Sequence, residues 1–292
     1  MDGKVQTISE IRRRITEMLK AGWPAEEAAA LASAIILEYT GMGRGFQMAF
    51  GDRVPGADAA ALIGDAAVRA AAGEPLQYIF GYTEFCGHRI EVEPGVLIPR
   101  PETEEMTMAV IRSDRGFTGT VTDLCTGSGC IAVALALAFP GAAVTATDIS
   151  EKALSVARRN INRTGASVSL TRSDILTDEP SAVPMSHLIV SNPPYVTMHE
   201  KAAMHRNVLD HEPHEALFVP DEDPLVYYRA IAAVAADRLL PGGTLWLEVN
   251  ESLAKETAAL ITGPQYREVQ VIRDIRGKER FVKAEKKGER RI

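Results

Sequence analysis

Between residues 120 and 272, short apolar runs and longer amphipathic ones take turns, and this alternation constrains the fold more than any other feature of the chain. The run 120–124 reads as a strand and 130–139 as a helix; 143–147 reads as a strand and 151–163 as a helix. Further strand patterns fall at 168–171, 187–191, 244–249 and 267–272, with helical patterns near 224–239 and 251–261. Strands that alternate with helices pair in parallel, because the helix carries the chain back to the same end of the sheet. The expected architecture is therefore α/β, a doubly wound sheet with helices on both faces. Ligands in such sheets bind beyond the carboxyl ends of the strands, where the strand order switches direction.

The first 72 residues carry helical periodicity only. Ile8, Ile11, Ile15 and Leu19 share one helical face, and Ala28, Leu31, Ala32, Ile35, Ile36 and Tyr39 share another. Ser9 is a candidate cap for the first helix, and Pro24 sits where a first-turn proline is tolerated. Glycines at 41, 43 and 45 end the second helix, and an alanine-rich third spans 57–72 before Gly73-Glu74-Pro75. From Leu76 the period shortens. Runs at 77–80, 88–92 and 96–98, bounded by Gly and Pro, suggest a β-hairpin. The expected organisation is a helical bundle over 1–73, a hairpin linker over 74–99 and the α/β domain over 100–292. The basic residues after Lys283 are read as a solvated tail.

Charge narrows the ligand. Lys and Arg number 32 against 39 Asp and Glu, a net of -7, which argues against a protein that coats nucleic acid. Residues 90–272 hold 14 basic and 24 acidic side chains, so a site there suits a cationic ligand better than a polyphosphate. Cys86, Cys125 and Cys130 form no Cys-x-x-Cys pair, which fits a reducing compartment. The N-terminus lacks a signal-peptide pattern, and no apolar run approaches the roughly 18 residues that span a membrane. A soluble cytoplasmic protein with no membrane partner is expected.

The first strand of the alternation runs into Asp123-Leu124-Cys125-Thr126-Gly127-Ser128-Gly129 and then directly into a helix. Glycines at such a turn let a ligand approach the backbone, where free amides at the helix start point outward. The next strand ends at Asp148, 19 residues after Gly129, where a carboxylate can accept from both ribose hydroxyls. Glycine spacing alone often marks a tight turn; with the strand, helix and acid around it, it points to a nucleoside cofactor. Asp123 would repel a pyrophosphate and attract an ammonium group, which favours S-adenosylmethionine over NAD. Asp174 could contact the adenine amino group or cap a turn, and Ile175 could lie against the adenine or in the core.

Asn192-Pro193-Pro194-Tyr195 ends the fourth strand. Two prolines cannot donate to a sheet, so the chain leaves the strand there. A nitrogen bearing two hydrogens can donate one to the Asn192 side-chain carbonyl and one to the Pro193 backbone carbonyl, which aims its lone pair at a methyl group. Tyr195 offers a flat face to a planar group. The bland alternative is a turn that merely ends a buried strand.

These runs together resemble the peptide chain release factor N5-glutamine methyltransferases, over nearly the whole chain. The resemblance also rests on 73–79 (Gly-Glu-Pro-Leu-Gln-Tyr-Ile), 97–104 (Leu-Ile-Pro-Arg-Pro-Glu-Thr-Glu), Glu212-Pro213, Ala216-Leu217 and Asp274-Ile275-Arg276-Gly277. The Asn-Pro-Pro-Tyr run alone is shared with methyltransferases acting on adenine in DNA; the Arg-Pro-Glu run is more selective. Membership implies a class I, Rossmann-like methyltransferase with a mostly parallel seven-stranded sheet and an N-terminal helical domain that binds the release factor. It implies methyl transfer from the co-substrate S-adenosylmethionine to the glutamine amide of the Gly-Gly-Gln motif in class I release factors, with no direct nucleic-acid target. By position, Cys125, Thr126, Gly127, Ser128 and Gly129 hold the cofactor, with Asp148 on the ribose and Asp174 and Ile175 by the adenine. Asn192, Pro193, Pro194 and Tyr195 hold the glutamine, with Asn192, Pro193 and Tyr195 catalytic and Asn192 also bordering the cofactor. Arg100, Pro101 and Thr103 line the approach to the methionine end.

Two departures stand out. The family usually has Gly in place of Cys125, and a more usual Gly after Glu248 is replaced by Val249-Asn250. If Cys125 has ordinary backbone angles, weaker cofactor binding is the largest expected effect. The histidines at 199, 205, 211 and 214 lack convincing metal partners and read as a loop that contacts a protein substrate. Trp23 and Trp246 read as core residues and Arg12-Arg13-Arg14 as a solvated helix face. A nucleic-acid amino-group methyltransferase and a noncatalytic cofactor-binding adaptor are the competing readings. The first would need a basic binding surface, the second a loss of function through Cys125.

Overall fold

The computed structural model describes residues 6–289, which form two compact units: residues up to 81 together with 205–211, and the remainder. In the first unit α1 (Ile8–Leu19) is capped by Thr7, not Ser9, in a capping box whose partner is Glu10. Helices α2 (Ala25–Thr40), α3 (Arg44–Ala49), α4 (Ala57–Ala71) and α5 (Leu76–Phe80) follow. Ile8, Ile11, Ile15 and Leu19 are fully buried against Ile35, Ile36 and Ile63, as their spacing requires. The stretch 77–80, read as a strand, is helical in α5, where Pro75 precedes the first turn and Gly81 closes the last.

The second unit opens with a short hairpin, β1 (Tyr82–Phe85) paired with β2 (His88–Glu91); 96–98 forms no strand. Helix α6 (Pro101–Ser113) comes next, in a stretch whose pattern assigns no element, with Pro101 in its first turn. The alternation then runs β3 (Thr120–Leu124), α7 (Cys130–Ala138), β4 (Ala143–Asp148), α8 (Glu151–Thr164), β5 (Val168–Arg172) and β6 (Ser186–Ser191). A two-residue pair, β7 (Val196–Thr197) and β8 (Phe218–Val219), flanks α9 (Arg206–His211), which belongs to the first unit. The chain closes with α10 (Val226–Arg238), β9 (Leu239–Glu248), α11 (Ala254–Ile261), β10 (Tyr266–Arg273) and β11 (Glu279–Lys286).

Seven strands form one sheet in the order β10-β11-β9-β6-β3-β4-β5, parallel except that β11 runs antiparallel to both neighbours. Strand β11 lies inside the sheet and takes in Lys283 and Lys286, so the basic stretch is not simply a tail. Its charged residues hide a strand whose Phe281, Val282 and Ala284 are buried. Residues 290–292 lie outside the described residues.

Alternation along the strands sends side chains to two cores. Val121, Leu188, Val190 and Trp246 pack with α6 and α7 on one face; Leu124, Ile189, Leu245 and Leu247 pack with α10 and α11 on the other. Each fully buried aliphatic side chain contributes about 1.5–3 kcal/mol, so a one-residue slip in register would expose both cores at once. From β3 the order proceeds one way through β4 and β5, and from β6 the other way through β9. The crevice where the order reverses lies beyond the paired ends Leu124 and Ser191.

Candidate functional site

At that crevice two loops leave neighbouring strands. Past β3, Cys125 and Gly127 both adopt φ +58°, and Gly129 adopts φ +79° as the residue that starts α7. The expectation of ordinary backbone angles at Cys125 is thus overturned: the side chain sits in the left-handed region, which costs about 1 kcal/mol in a residue with a Cβ. Burial pushes its thiol up, with Asp148 and Asp123 adding to the effect, so it stays protonated and a poor nucleophile. A Cβ on Gly129 would come within 3.0 Å of Ala157, whereas one on Gly127 would meet nothing within 4 Å. The loop therefore needs glycine at 129 for conformation and space, and leaves open room beside 127.

Asp123 anchors this loop from below. It is fully buried, with Oδ2 accepting from the Thr126 hydroxyl at 2.5 Å and the Ala132 amide at 3.2 Å. Burial pushes its carboxyl up to about 7 against the pull of those two donors. Its Oδ1 is buried without a hydrogen-bond partner, the kind of orphaned acceptor that an ammonium group would satisfy. Asp148 ends β4 and takes the Gly127 amide on Oδ2 at 2.8 Å and the Ser150 amide on Oδ1 at 2.9 Å. Each of its oxygens keeps a lone pair for a further donor. Burial raises this carboxyl as well. Asn160 on α8 donates to the Ser128 carbonyl at 2.9 Å and, with the Glu91 backbone, holds the loop against the hairpin.

A cavity opens here. Cys125, Gly127, Asp148, Asp174, Ile175, Asn192 and Pro194 line it, together with Leu97, Glu215 and Tyr227. Asp174 also caps its own turn, accepting from the Leu176 amide and the Thr177 hydroxyl. Thr126, Ser128 and Gly129 shape the loop from behind and do not line the cavity. A second, smaller cavity is bordered by Arg100, Pro193, Tyr195 and Leu217, and it shares Leu97, Asn192 and Ala216 with the first.

The second loop, past β6, is held by side chains from far away in sequence. Asn192 Nδ2 donates to Thr103 Oγ1 at 2.9 Å, and that hydroxyl donates to Glu248 Oε2 at 2.6 Å. Tyr195 donates its hydroxyl to Glu248 Oε1 at 2.9 Å. Burial raises both the Tyr195 phenol and the fully buried Glu248 carboxyl. Asn250 donates to the Tyr195 carbonyl and to Glu200, which gives a structural role to a position with no evident one in the sequence. Arg100 pairs with buried Glu212 at 2.7 Å. Pro101 begins α6, and Thr103 is buried on it, so of the three residues expected near the methionine end only Arg100 borders a cavity, the smaller one.

The sequence alone assigns no role to Glu248, Asn160 or Asn250. The one available signal for Glu248 is a lone acid ending the otherwise apolar strand stretch 244–249. Trp23 does more than fill the core: it stacks on His205 with ring centroids 4.9 Å apart. Among the described residues no three His, Cys, Asp or Glu side chains are grouped to hold a metal, and no helix is long and apolar enough to cross a membrane.

A mostly parallel seven-stranded sheet with a glycine turn and an Asn-Pro-Pro-Tyr turn at its switch point defines a Rossmann-like methyltransferase. Residues 104–216 match the family model described as the methyltransferase small domain, and residues 10–81 that of the PrmC N-terminal domain. The fold is shared with the crystal structure of a methyltransferase from Pyrococcus furiosus, with a TM-score of 0.50 and 21% identity, covering 70% of this chain and 90% of that one. A release factor glutamine methyltransferase from Bacteroides thetaiotaomicron is 48% identical over 211 residues, 72% of this chain and 76% of its own. Another of that name from Deinococcus radiodurans is 36% identical over 273 residues, 93% of this chain and 95% of its own. The chain belongs to the release factor glutamine methyltransferase family.

Proposed function

We propose that this protein transfers a methyl group from S-adenosylmethionine to the side-chain amide nitrogen of the glutamine in the Gly-Gly-Gln motif of class I release factors. The observation that carries the reading is that Asn192 borders both cavities, so one side chain can face a donor molecule on one side and an amide on the other. The larger cavity suits the cofactor. Asp148 can accept from the ribose hydroxyls, and Asp174 and Ile175 flank the adenine position. Asp123 does not line the cavity; it is fully buried, with Oδ1 unpartnered. The loop 125–129 supplies open backbone beside Gly127, and Arg100 borders the adjoining smaller cavity.

S-adenosylmethionine supplies a methyl group already activated by its sulfonium. The protein has to make an amide nitrogen nucleophilic, although its lone pair is delocalised into the carbonyl. The Asn192 carbonyl accepts one amide hydrogen and the Pro193 backbone carbonyl the other, which localises the lone pair and fixes its direction. Pro194 lines the larger cavity, and Tyr195 packs on the planar amide. No side chain needs to remove a proton before transfer, because the methylated nitrogen loses one readily afterwards.

The helical unit is assigned to binding the body of the release factor. Supporting this, Phe46, Met48, Phe50 and Val54 are large, apolar and exposed in that unit, and Arg53 lies over both phenyl rings. The cytoplasm is the expected compartment, since release factors act on ribosomes there. Incubating the purified protein with labelled S-adenosylmethionine and either a release factor or nucleic acid tests the reading. Label on the Gly-Gly-Gln glutamine supports it; label on nucleic acid, or cofactor bound without transfer, overturns it.

A further inference from the structure

An asparagine can offer a hydroxyl either its carbonyl or its NH2, and only the second choice at Thr103 leaves the carbonyl for a substrate. Thr103 Oγ1 stands at the junction, 2.9 Å from Asn192 Nδ2 and 2.6 Å from Glu248 Oε2, with one proton to give. Glu248 Oε1 lies 2.9 Å from the Tyr195 hydroxyl. A charged carboxylate only accepts, so it takes both hydroxyl protons. Thr103 then presents lone pairs alone, and Asn192 must turn its NH2 inward. Burial, the largest influence, pushes this carboxyl up and Glu102 adds to it, while the two hydroxyls and Arg280 pull the other way; it is in the ionised form that both hydroxyl protons point to Glu248. Arg280 is itself steadied by Glu251 and Asp274.

We propose that Glu248 is a positioning residue for methyl transfer: through the Thr103 hydroxyl it sets the polarity of the Asn192 amide, so that the carbonyl meets the substrate nitrogen. The same carboxylate fixes the Tyr195 hydroxyl, tying both ends of the Asn-Pro-Pro-Tyr turn to one buried acid. The proposal rests on the reading above, in which Asn192 accepts a hydrogen bond from the glutamine amide.

Reversing the polarity tests it. In Asn192→Asp a carboxylate faces the Thr103 lone pair, and kcat on release factor should fall about a hundredfold, as misplacement of reacting groups does. Adding Glu248→Gln lets the new NH2 donate to Thr103, whose proton then turns to residue 192. The double variant should regain at least about tenfold over Asn192→Asp, a coupling that independent structural damage does not produce. A double variant no faster than Asn192→Asp overturns the proposal if its melting temperature and cofactor affinity, by calorimetry, match those of the single variants. Thr103→Ser and Thr103→Val decide the matter should the double variant fold poorly. Serine should stay within about threefold of wild-type kcat, while valine loses about tenfold with cofactor affinity unchanged. Equal losses in both, or a loss confined to cofactor affinity or melting temperature, overturn it too. Wild-type protein that never labels the glutamine defeats the functional reading itself, a result distinct from all of these.

Discussion

The two loops at the switch point leave adjacent, directly paired strands, yet they are held by opposite means. The loop past β3 is shaped chiefly by its backbone: three left-handed residues, a helix start, and hydrogen bonds whose partners lie at most 32 residues away. The turn past β6 is a side-chain construction, with Asn192 reaching Thr103 across 89 residues and Tyr195 reaching Glu248 across 53. A loop shaped by main chain tolerates changes of side chain and fails when a dihedral angle is lost. A turn held by side chains tolerates the prolines that break its sheet and fails when a distant hydroxyl or carboxylate is lost. Ser191 joins the two, its hydroxyl donating to the Leu124 carbonyl at 2.7 Å.

The sharpest way to separate the loops is Asn192→Ala. Release-factor methylation should fall about 10²–10³-fold, while the calorimetric affinity for S-adenosylmethionine changes little. Near-normal turnover would sink the assignment of the amide to this side chain. Next in size is Asp123→Asn, which keeps an acceptor for Thr126 and Ala132 but removes the buried charge. The Asp123 carboxyl rises from 3.8 to about 7 on folding, so the folded chain holds a proton in that window that the unfolded chain releases. Its contribution makes stability fall as pH rises from about 4 to 7 and level off above; Asp148 and Glu248 act in the same direction. Asp123→Asn should flatten melting temperature against pH and stabilise the protein at pH 8 by up to about 4 kcal/mol. An unchanged slope would show the carboxyl to be charged throughout.

Smaller effects probe the backbone side of the contrast. Gly129→Ala should cost about 2 kcal/mol in denaturant unfolding and weaken cofactor binding, since it combines φ +79° with a 3.0 Å approach to Ala157. Gly127→Ala meets no neighbour and should cost only the conformational part, about 1 kcal/mol. Equal losses would deny the space argument. Smallest is Cys125→Gly, which relieves a left-handed residue and should gain under about 1 kcal/mol, because the freer unfolded chain offsets part of the relief. Cofactor affinity should hold within about threefold, and a large improvement would show that the Cys125 side chain obstructs the site.

The contrast also explains what was legible. Strand, turn and helix succeed one another in β3, the glycine loop and α7, so their order could be read directly. The departures came where a residue's environment is supplied from afar. Helix α5 was read as a strand because five residues carry too little period to decide. The end of strand β11, past Lys283, reads as a solvated tail because Glu285 and Lys286 are charged. Thr103 was read on the approach to the cofactor, yet its hydroxyl lies between Asn192 and Glu248.

By itself the sequence determined the α/β alternation, the helical unit ahead of it, the glycine loop and the Asn-Pro-Pro-Tyr turn. These rest on local periodicity, on which residues accept positive φ, and on which lack an amide to donate. Only the tertiary structure decided that Glu248, Thr103 and Asn250 brace that turn, that Asp123 is buried beneath the loop, and that Cys125 is left-handed. Hydrogen-bond polarity and burial depend on which segments the sheet brings together, and those contacts span distances in the chain that no local pattern encodes.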